Sequence, residues 1–348
     1  MINNLKIATL LPYKENYTFS KAAAASLWVA DFFKYSKFKK NNYIFGNTDT
    51  DDHLTKNYIN IEINNLKSKF TSSTIEYCNG FINKSKKFKF QIIEIHNRPL
   101  VFNYLKSKIP DTEFILYFHN DPISMKGSKT LSERLQLLNK IDKIIFVSKW
   151  VQNRFFEGLD QKLLNKTEVV YPSIYREKKI LKKNKNITFV GKLNVSKGYD
   201  IYGEAITKIL DEFPEWKAFS IGDEKRNRPI INHSKHSDLG YLTHKKVLTF
   251  LNKSEIAVVP SRWEEPFGRT SLESSSRACA TIISNRGGLP ETTDHCVVLK
   301  RLNSKELYNE IKKLIVNTSY RKKIQIDGFN NVKHLIKTNS NLIDNIRE

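Results

Sequence analysis

Cysteine is scarce: three in 348 residues, Cys78, Cys279 and Cys296, scattered without metal-ligand spacing. That usage argues against a disulfide framework or a zinc-type cluster and suits free thiols in a reducing compartment. No apolar run approaches the roughly 18 residues that a membrane-spanning helix needs. The opening MINNLKIATLLPYKEN has a short apolar run and no small-residue cleavage site, so it reads as a first strand and not a secretory signal. No fixed-period repeat and no long low-complexity tract occurs, which argues against a tandem array. Acids are also in deficit, with 36 Asp and Glu against 58 Lys and Arg and a formal net charge of +22. Such an excess suits anionic partners, although a Lys-, Asn- and Ile-rich composition is a blander source of it. Basic–aromatic clusters of the nucleic-acid modules are missing, so no specific nucleic-acid partner is expected. Among binding roles for the charge, contact with an anionic membrane surface is the best single reading.

What is present is an alternation of strand and helix patterns over a length suited to two domains. Lys6 to Leu11 reads as the first strand, followed by a loop from Pro12 to Ser20 and an amphipathic helix from Lys21 to Lys34. Tyr43 to Phe45 reads as a strand and Thr71 to Ser85 as a helix. Three further apolar runs each end in a polar cluster. Gln91 to Ile95 ends in His96-Asn97-Arg98, Phe114 to Phe118 in His119-Asn120-Asp121, and Lys143 to Val147 in Ser148-Lys149. Polar clusters at strand ends mark the ligand crevice of an open α/β sheet. Glu168 to Tyr171 closes this half. Arg176 to Asn186, REKKILKKNKN, lacks a period and reads as an interdomain linker.

The second half opens with a strand, Ile187 to Val190, that runs into Gly191-Lys192-Leu193-Asn194-Val195-Ser196-Lys197-Gly198. Gly191 permits close backbone approach, and Lys192 and Lys197 frame the turn with two cations that can neutralise a diphosphate. Helix (Tyr202 to Phe213), strand (Ala218 to Ile221), helix (Thr243 to Leu251) and strand (Glu255 to Val259) follow. Val297 to Leu299 is a further strand. Helices are predicted over Ser304 to Asn317 and Ser319 to Ile336, and a final one over Asn330 to Arg347.

The most informative stretch is Val258 to Glu291, VVPSRWEEPFGRTSLESSSRACATIISNRGGLPE. It reads as strand, loop, helix from Thr270 to Ala280, strand from Thr281 to Ser284, and a glycine pair, Gly287-Gly288. Pro266 and Gly268 turn the chain into the helix, whose first amides and positive dipole end suit a phosphate. Arg269 and Thr270 add donors. Glu265 and Glu273 stand eight positions apart; eight steps of about 100° leave roughly 80° of rotation, so both can face one side. Carboxylates beside a phosphate site do not bind the phosphate and suit hydroxyl groups.

Glu265-Pro-Phe-Gly-Arg-Thr-Ser-Leu-Glu273 resembles the E-x7-E signature of retaining nucleotide-sugar glycosyltransferases, glycosyltransferase family 4. Pro260-Ser261, Gly287-Gly288-Leu289-Pro290-Glu291 and the Gly191-Lys192…Lys197-Gly198 segment fit the same pattern, with Lys192 where arginine is usual. The loop after the first strand departs from it: Tyr13 to Thr18 holds no glycine, and Lys14 and Glu15 are the residues expected to reach the cleft.

The resemblance implies the GT-B fold, two Rossmann-like α/β domains facing across a cleft. The expected division is residues 1–175 on the acceptor side, 176–330 on the donor side, and 331–348 crossing back as a helix. It implies transfer of a sugar, hexosyl in type, from a nucleotide-diphosphate-sugar donor to a glycan or glycolipid acceptor, with retention of configuration. Gly191, Lys192, Lys197 and the stretch Phe267, Gly268, Arg269, Thr270 are expected to hold the diphosphate. Glu273 is expected on the ribose and Glu265 on the donor sugar. His119 is expected to hydrogen-bond that sugar and support the leaving diphosphate. No metal or other cofactor is expected, because the one D-x-D noted, Asp49-Thr50-Asp51, lies in a polar loop far from the motif. A cytoplasmic protein, peripheral at the membrane face and acting in lipopolysaccharide or capsule synthesis, is the implied setting. The alternatives are a nucleotide-sugar epimerase of the same fold and a basic nucleic-acid or membrane-surface binding protein. The donor sugar, the base and the acceptor are not legible.

Overall fold

The computed structural model describes residues 5–48, 50–63 and 72–348. Asp49 of the D-x-D and Thr71, the expected start of a helix, lie outside them. The chain divides into two compact units: Met1–Pro172 with Ile336–Glu348, and Ser173–Leu335.

The first unit is built on β1 (Ile7–Leu10), β2 (Asn42–Gly46), β3 (Tyr58–Asn60), β4 (Ile92–His96), β5 (Glu113–Phe118), β6 (Lys143–Phe146) and β7 (Thr167–Val169). These form a parallel sheet in the order β3-β2-β1-β4-β5-β6-β7. The central strands are apolar almost without a break, as parallel strands covered on both faces must be. Among the described residues, the helices α1 (Ala24–Tyr35), α2 (Ser73–Ser85), α3 (Pro99–Lys108), α4 (Leu131–Lys140) and α5 (Lys149–Phe156) join them. Their starts are fixed by local chemistry. Pro99 opens α3, Thr130 and Glu133 make a capping box on α4, and the Ser148 hydroxyl accepts from the Val151 amide at 3.0 Å to cap α5. Helix α1 begins three residues later than its periodicity suggests, because the Lys21 amide donates to the Thr18 hydroxyl and the Ala23 amide to the Asn16 carbonyl.

The second unit repeats the plan. Strands β8 (Asn184–Val190), β9 (Lys217–Ile221), β10 (His236–Asp238), β11 (Ser254–Val259), β12 (Ala280–Ser284) and β13 (Val297–Leu299) are parallel, in the order β10-β9-β8-β11-β12-β13. Helices α6 (Tyr199–Glu212), α7 (His244–Leu251), α8 (Arg269–Ser276), α9 (Ser304–Val316) and α10 (Thr318–Asn330) accompany them. In both units the order reverses beside the first strand, the doubly wound Rossmann arrangement. The final helix, α11 (Ile336–Ile346), belongs to the first unit and packs on α1.

Three sequence expectations need revision. The supposed linker 176–186 is strand from Asn184 onward, anchored when the Asn184 amide donates to the Lys253 carbonyl at 2.8 Å. Helix α8 stops at Ser276 instead of reaching Ala280. There Ala278 adopts φ +56°, its amide donates to Ser275, and the Cys279 amide donates to Ser274, a Schellman end with alanine in place of glycine. Helix α10 stops at Asn330 and α11 starts only at Ile336, because the segment between is drawn into an extended bridge, Ile174 to Leu335.

Candidate functional site

Two loops of the second unit leave the carboxyl ends of neighbouring strands, one after β8 and one after β11, on either side of the strand-order reversal. They are stitched together by backbone. The Arg262 and Trp263 amides donate to the Ser196 carbonyl at 3.0 and 2.9 Å. Gly198, which precedes α6, lies against Pro260 so closely that a Cβ there would stand 1.9 Å from the Pro260 carbonyl oxygen. Arg262 clamps the pair from outside with both ends of its guanidinium on Asp200, at 2.5 and 2.7 Å.

This stitching brings Lys197 and Glu265 together. The Lys197 ammonium donates to the Glu265 carboxylate at 2.5 Å, and both side chains are only partly exposed. Lys192, at the other end of the turn, is exposed and faces the field of Glu224. Gly191 follows β8, with its amide donating to the Ile221 carbonyl at 2.9 Å. Its carbonyl would stand 1.8 Å from a Cβ at Gly222, so this close approach requires glycine at 222.

The loop after β11 is shaped by the glycine pair. The Gly288 amide donates to the Glu265 carbonyl at 2.6 Å, and the Gly287 amide to the Glu264 carboxylate at 2.6 Å. Gly287 has φ +57°, and a Cβ there would meet the Glu265 carbonyl at 2.2 Å, so glycine is required on both counts. Gly268, at φ +100°, turns the chain into α8; Phe267 is buried beneath, and Arg269 and Thr270 are half-buried at the helix start.

Glu273 sits one turn into α8 and is only 5% exposed. Arg269 donates to its Oε1 at 2.7 Å, and His244, at the start of α7, lies 2.8 Å from the same oxygen. Burial alone would raise this carboxyl; His244 and Arg269 more than reverse it and hold it at about 2. The depressed value makes a prediction. Stability from ionised Glu273 is complete above the unfolded value near 4.5 and is lost as pH falls toward about 2. Its full size is about 3 kcal/mol. Hydrogen-exchange protection of β11 and β12, which reports on the second unit alone, should show the wild-type advantage over Glu273→Gln shrinking from about pH 6 down to about pH 2.5. A difference that stays constant with pH would refute the ionised cluster.

His119 lies in the first unit, one residue beyond β5, with its ring nitrogen Nε2 2.8 Å from Nδ1 of His96. Lys14 and Glu15 follow β1 in the same unit; Lys14 has φ +62° and its ammonium lies over the Tyr13 ring. Sequence reasoning missed His244, which reads there only as the opening of a helix. It lies 29 positions before Glu273, and no local pattern links the two. Arg262 was likewise unmarked. A cavity of about 510 Å³, lined in part by Tyr199, Arg228, Ile231 and Asp238, shares no lining residue with the Glu265–Glu273 loop.

Among the described residues no helix is long and apolar enough to cross a membrane. Residues 171–330 match the family described as glycosyl transferases group 1. The chain is 25% identical over 281 residues to spore coat protein SA of Bacillus subtilis, covering 69% of this chain and 72% of that protein. It is 29% identical over 235 residues to an uncharacterized glycosyltransferase of Methanocaldococcus jannaschii, covering 64% of each. In fold it is similar to Anabaena HepE in complex with UDP-glucose, with a TM-score of 0.77 at 15% identity over 97% of this chain and 98% of that one.

Proposed function

We propose, from the premise that residues 171–330 form a glycosyl transferases group 1 domain, that this protein transfers a sugar from a nucleotide-diphosphate donor to an acceptor hydroxyl. Configuration at the anomeric carbon is retained, and no metal or other cofactor takes part. The observation that carries the reading is the pair of stitched loops, in which Lys197 and Glu265 meet beyond the carboxyl ends of β8 and β11. Open α/β sheets bind their ligands at such a reversal of strand order.

In this reading Lys197 exchanges Glu265 for the diphosphate, with Lys192 and the amides of Phe267 to Thr270 as further donors to it. The charge that builds on the departing diphosphate is thereby offset in the transition state. Glu265, released from Lys197, takes hydroxyls of the donor sugar. Glu273 has its Oε1 occupied by Arg269 and His244, which leaves Oε2 to accept from the ribose hydroxyls. His119 hydrogen-bonds the donor sugar and supports the leaving group. Glu265 is not assigned as a covalent nucleophile; the diphosphate leaves and the acceptor enters on the same face. A glycan or glycolipid acceptor at the cytoplasmic face of a membrane, in surface-glycan or lipopolysaccharide synthesis, is the proposed setting. The net charge of +22 supports contact with such an anionic surface.

The test is thermal stability of the purified protein against UDP, GDP, ADP and dTDP sugars, with UDP-glucose first because HepE binds it. One nucleotide should raise the melting temperature by several degrees at saturating concentration. The shift should survive moderate salt and a chelator. A flat screen in which only DNA or heparin stabilises the protein would sink the reading, because the charge alone would then be the binding determinant.

A further inference from the structure

The His96–His119 pair has a proton arrangement that the surrounding packing decides. His96 ends β4 and is 1% exposed; His119 is half-buried. The His96 ring is stacked on Tyr117, with centroids 4.4 Å apart and planes 9° from parallel. Trp28 presents its edge or face to both histidines, at 5.6 and 5.3 Å. The main chain is pinned as well, since the His119 and Asn120 amides donate to the Asn97 side-chain oxygen at 3.0 and 3.2 Å. The His96 ring is thus held between Tyr117 and Trp28, and the backbone that carries His119 is fixed by Asn97.

A contact of 2.8 Å between Nδ1 of His96 and Nε2 of His119 needs one proton between them. Both rings are neutral near pH 7. Burial, helped by the Arg347 cation, pushes His96 down to about 3, and burial with His96 beside it pushes His119 well below the usual range. If His119 were the donor, His96 would carry its own proton on Nε2. That atom is buried and has no hydrogen-bond partner among the described residues. A buried N–H with no acceptor is the rarer and costlier orphan; a bare ring lone pair in the same place is better tolerated. The low-energy arrangement therefore puts the His96 proton on Nδ1.

We infer that His96 is a positioning residue that donates from Nδ1 to Nε2 of His119 and fixes His119 as the tautomer carrying its proton on Nδ1. His119 is then a neutral hydrogen-bond donor and not a base. Its Nδ1–H points no hydrogen bond at the described protein atoms and is left to donate to an oxygen of the substrate. The inference rests on the role of His119 proposed above, but the tautomer itself is open to direct measurement.

The experiment is ¹⁵N NMR of the imidazole nitrogens in histidine-labelled protein, with and without substitution at position 96. Wild-type His119 should show a protonated Nδ1 and a bare Nε2. His96→Phe keeps a ring on Tyr117 but removes the donor, so the proton of His119 should move toward Nε2. Turnover should then fall roughly tenfold, the worth of one misdirected hydrogen bond. His96→Asn sets an amide donor near the place of Nδ1 and should restore both the tautomer and most of the turnover. If His96→Phe does not fold, the wild-type and His96→Asn spectra carry the test. A wild-type His119 protonated on Nε2, or a spectrum unchanged in folded His96→Phe, would overturn the inference. Absence of transferase activity in the wild type would instead count against the proposed reaction, and the spectra would still decide the tautomer.

Discussion

Arg347→Leu should destabilise the first unit by about 3–5 kcal/mol, the range for breaking a buried ion pair by removing one partner. Arg347 lies one residue from the end of the chain, yet its guanidinium is buried and donates to both oxygens of Glu94, at 2.7 and 2.8 Å. It also donates to Asp344 and to the Ser36 hydroxyl, each at 3.1 Å. Glu94 is 1% exposed and accepts further hydrogen bonds from Thr9 and Tyr117, both at 2.7 Å. Burial opposes charge on both partners. Their mutual attraction outweighs it, so the Glu94 carboxyl is held below its usual range and Arg347 above its own. Leucine at 347 leaves the Glu94 charge buried with only neutral donors. Because the chain has two units, a single unfolding free energy is not the right readout. Hydrogen exchange of β4 and β5 in urea isolates the first unit. Glu94→Leu combined with Arg347→Leu should recover much of the loss, since a buried ion pair and a well-packed apolar pair of similar volume are often close in stability. Protection in Arg347→Leu within about 1 kcal/mol of wild type would mean the network contributes little.

Lys197→Ala should lower sugar transfer by about 10²–10³-fold, the cost of removing one preorganised donor from a developing oxyanion. Its effect on folding should be small, because a part-exposed ion pair such as Lys197–Glu265 is worth about 1 kcal/mol or less. The reasoning is electrostatic. A diphosphate departs well only where cations meet its growing charge, and Lys192, exposed at the far end of the turn, cannot supply the partly buried charge that Lys197 does. Lys197→Arg should recover part of the rate, since charge is kept while reach and geometry change. The thermal shift with a nucleotide diphosphate should vanish in Lys197→Ala and persist in Glu265→Gln, which loses the Lys197 ion pair of the free protein but, in the complex, contact only with the sugar. Lys197→Ala with turnover within threefold of wild type would remove Lys197 from the proposed donor site. Glu273→Ala would be a poorer probe than its sequence position suggests. Its carboxylate is part of a buried cluster with Arg269 and His244, so loss of activity would be mixed with loss of stability.

Much of the fold was legible because parallel strands covered on both faces must be apolar nearly throughout. Runs such as Phe114 to Phe118 and Glu255 to Val259 stand out in a lysine-rich chain for that reason. Element ends were less legible. The end of α8 depends on Ala278 accepting a left-handed conformation, and the gap between α10 and α11 on a bridge to Ile174, 161 positions away from Leu335. The short edge strands β3 and β10 carry too few residues for a pattern.

By itself the sequence determined two α/β halves, the polar clusters at strand ends, and the spacing that sets Glu265 and Glu273 around the start of a helix. These are local matters of periodicity and turn chemistry. The tertiary structure decided which groups share a charge environment: Lys197 with Glu265 across 68 positions, His244 with Glu273 across 29, and Arg347 with Glu94 across 253. Burial and proximity, which set the strength of an ion pair and the protonation of a carboxylate or an imidazole, arise only when distant segments are packed together and water is removed.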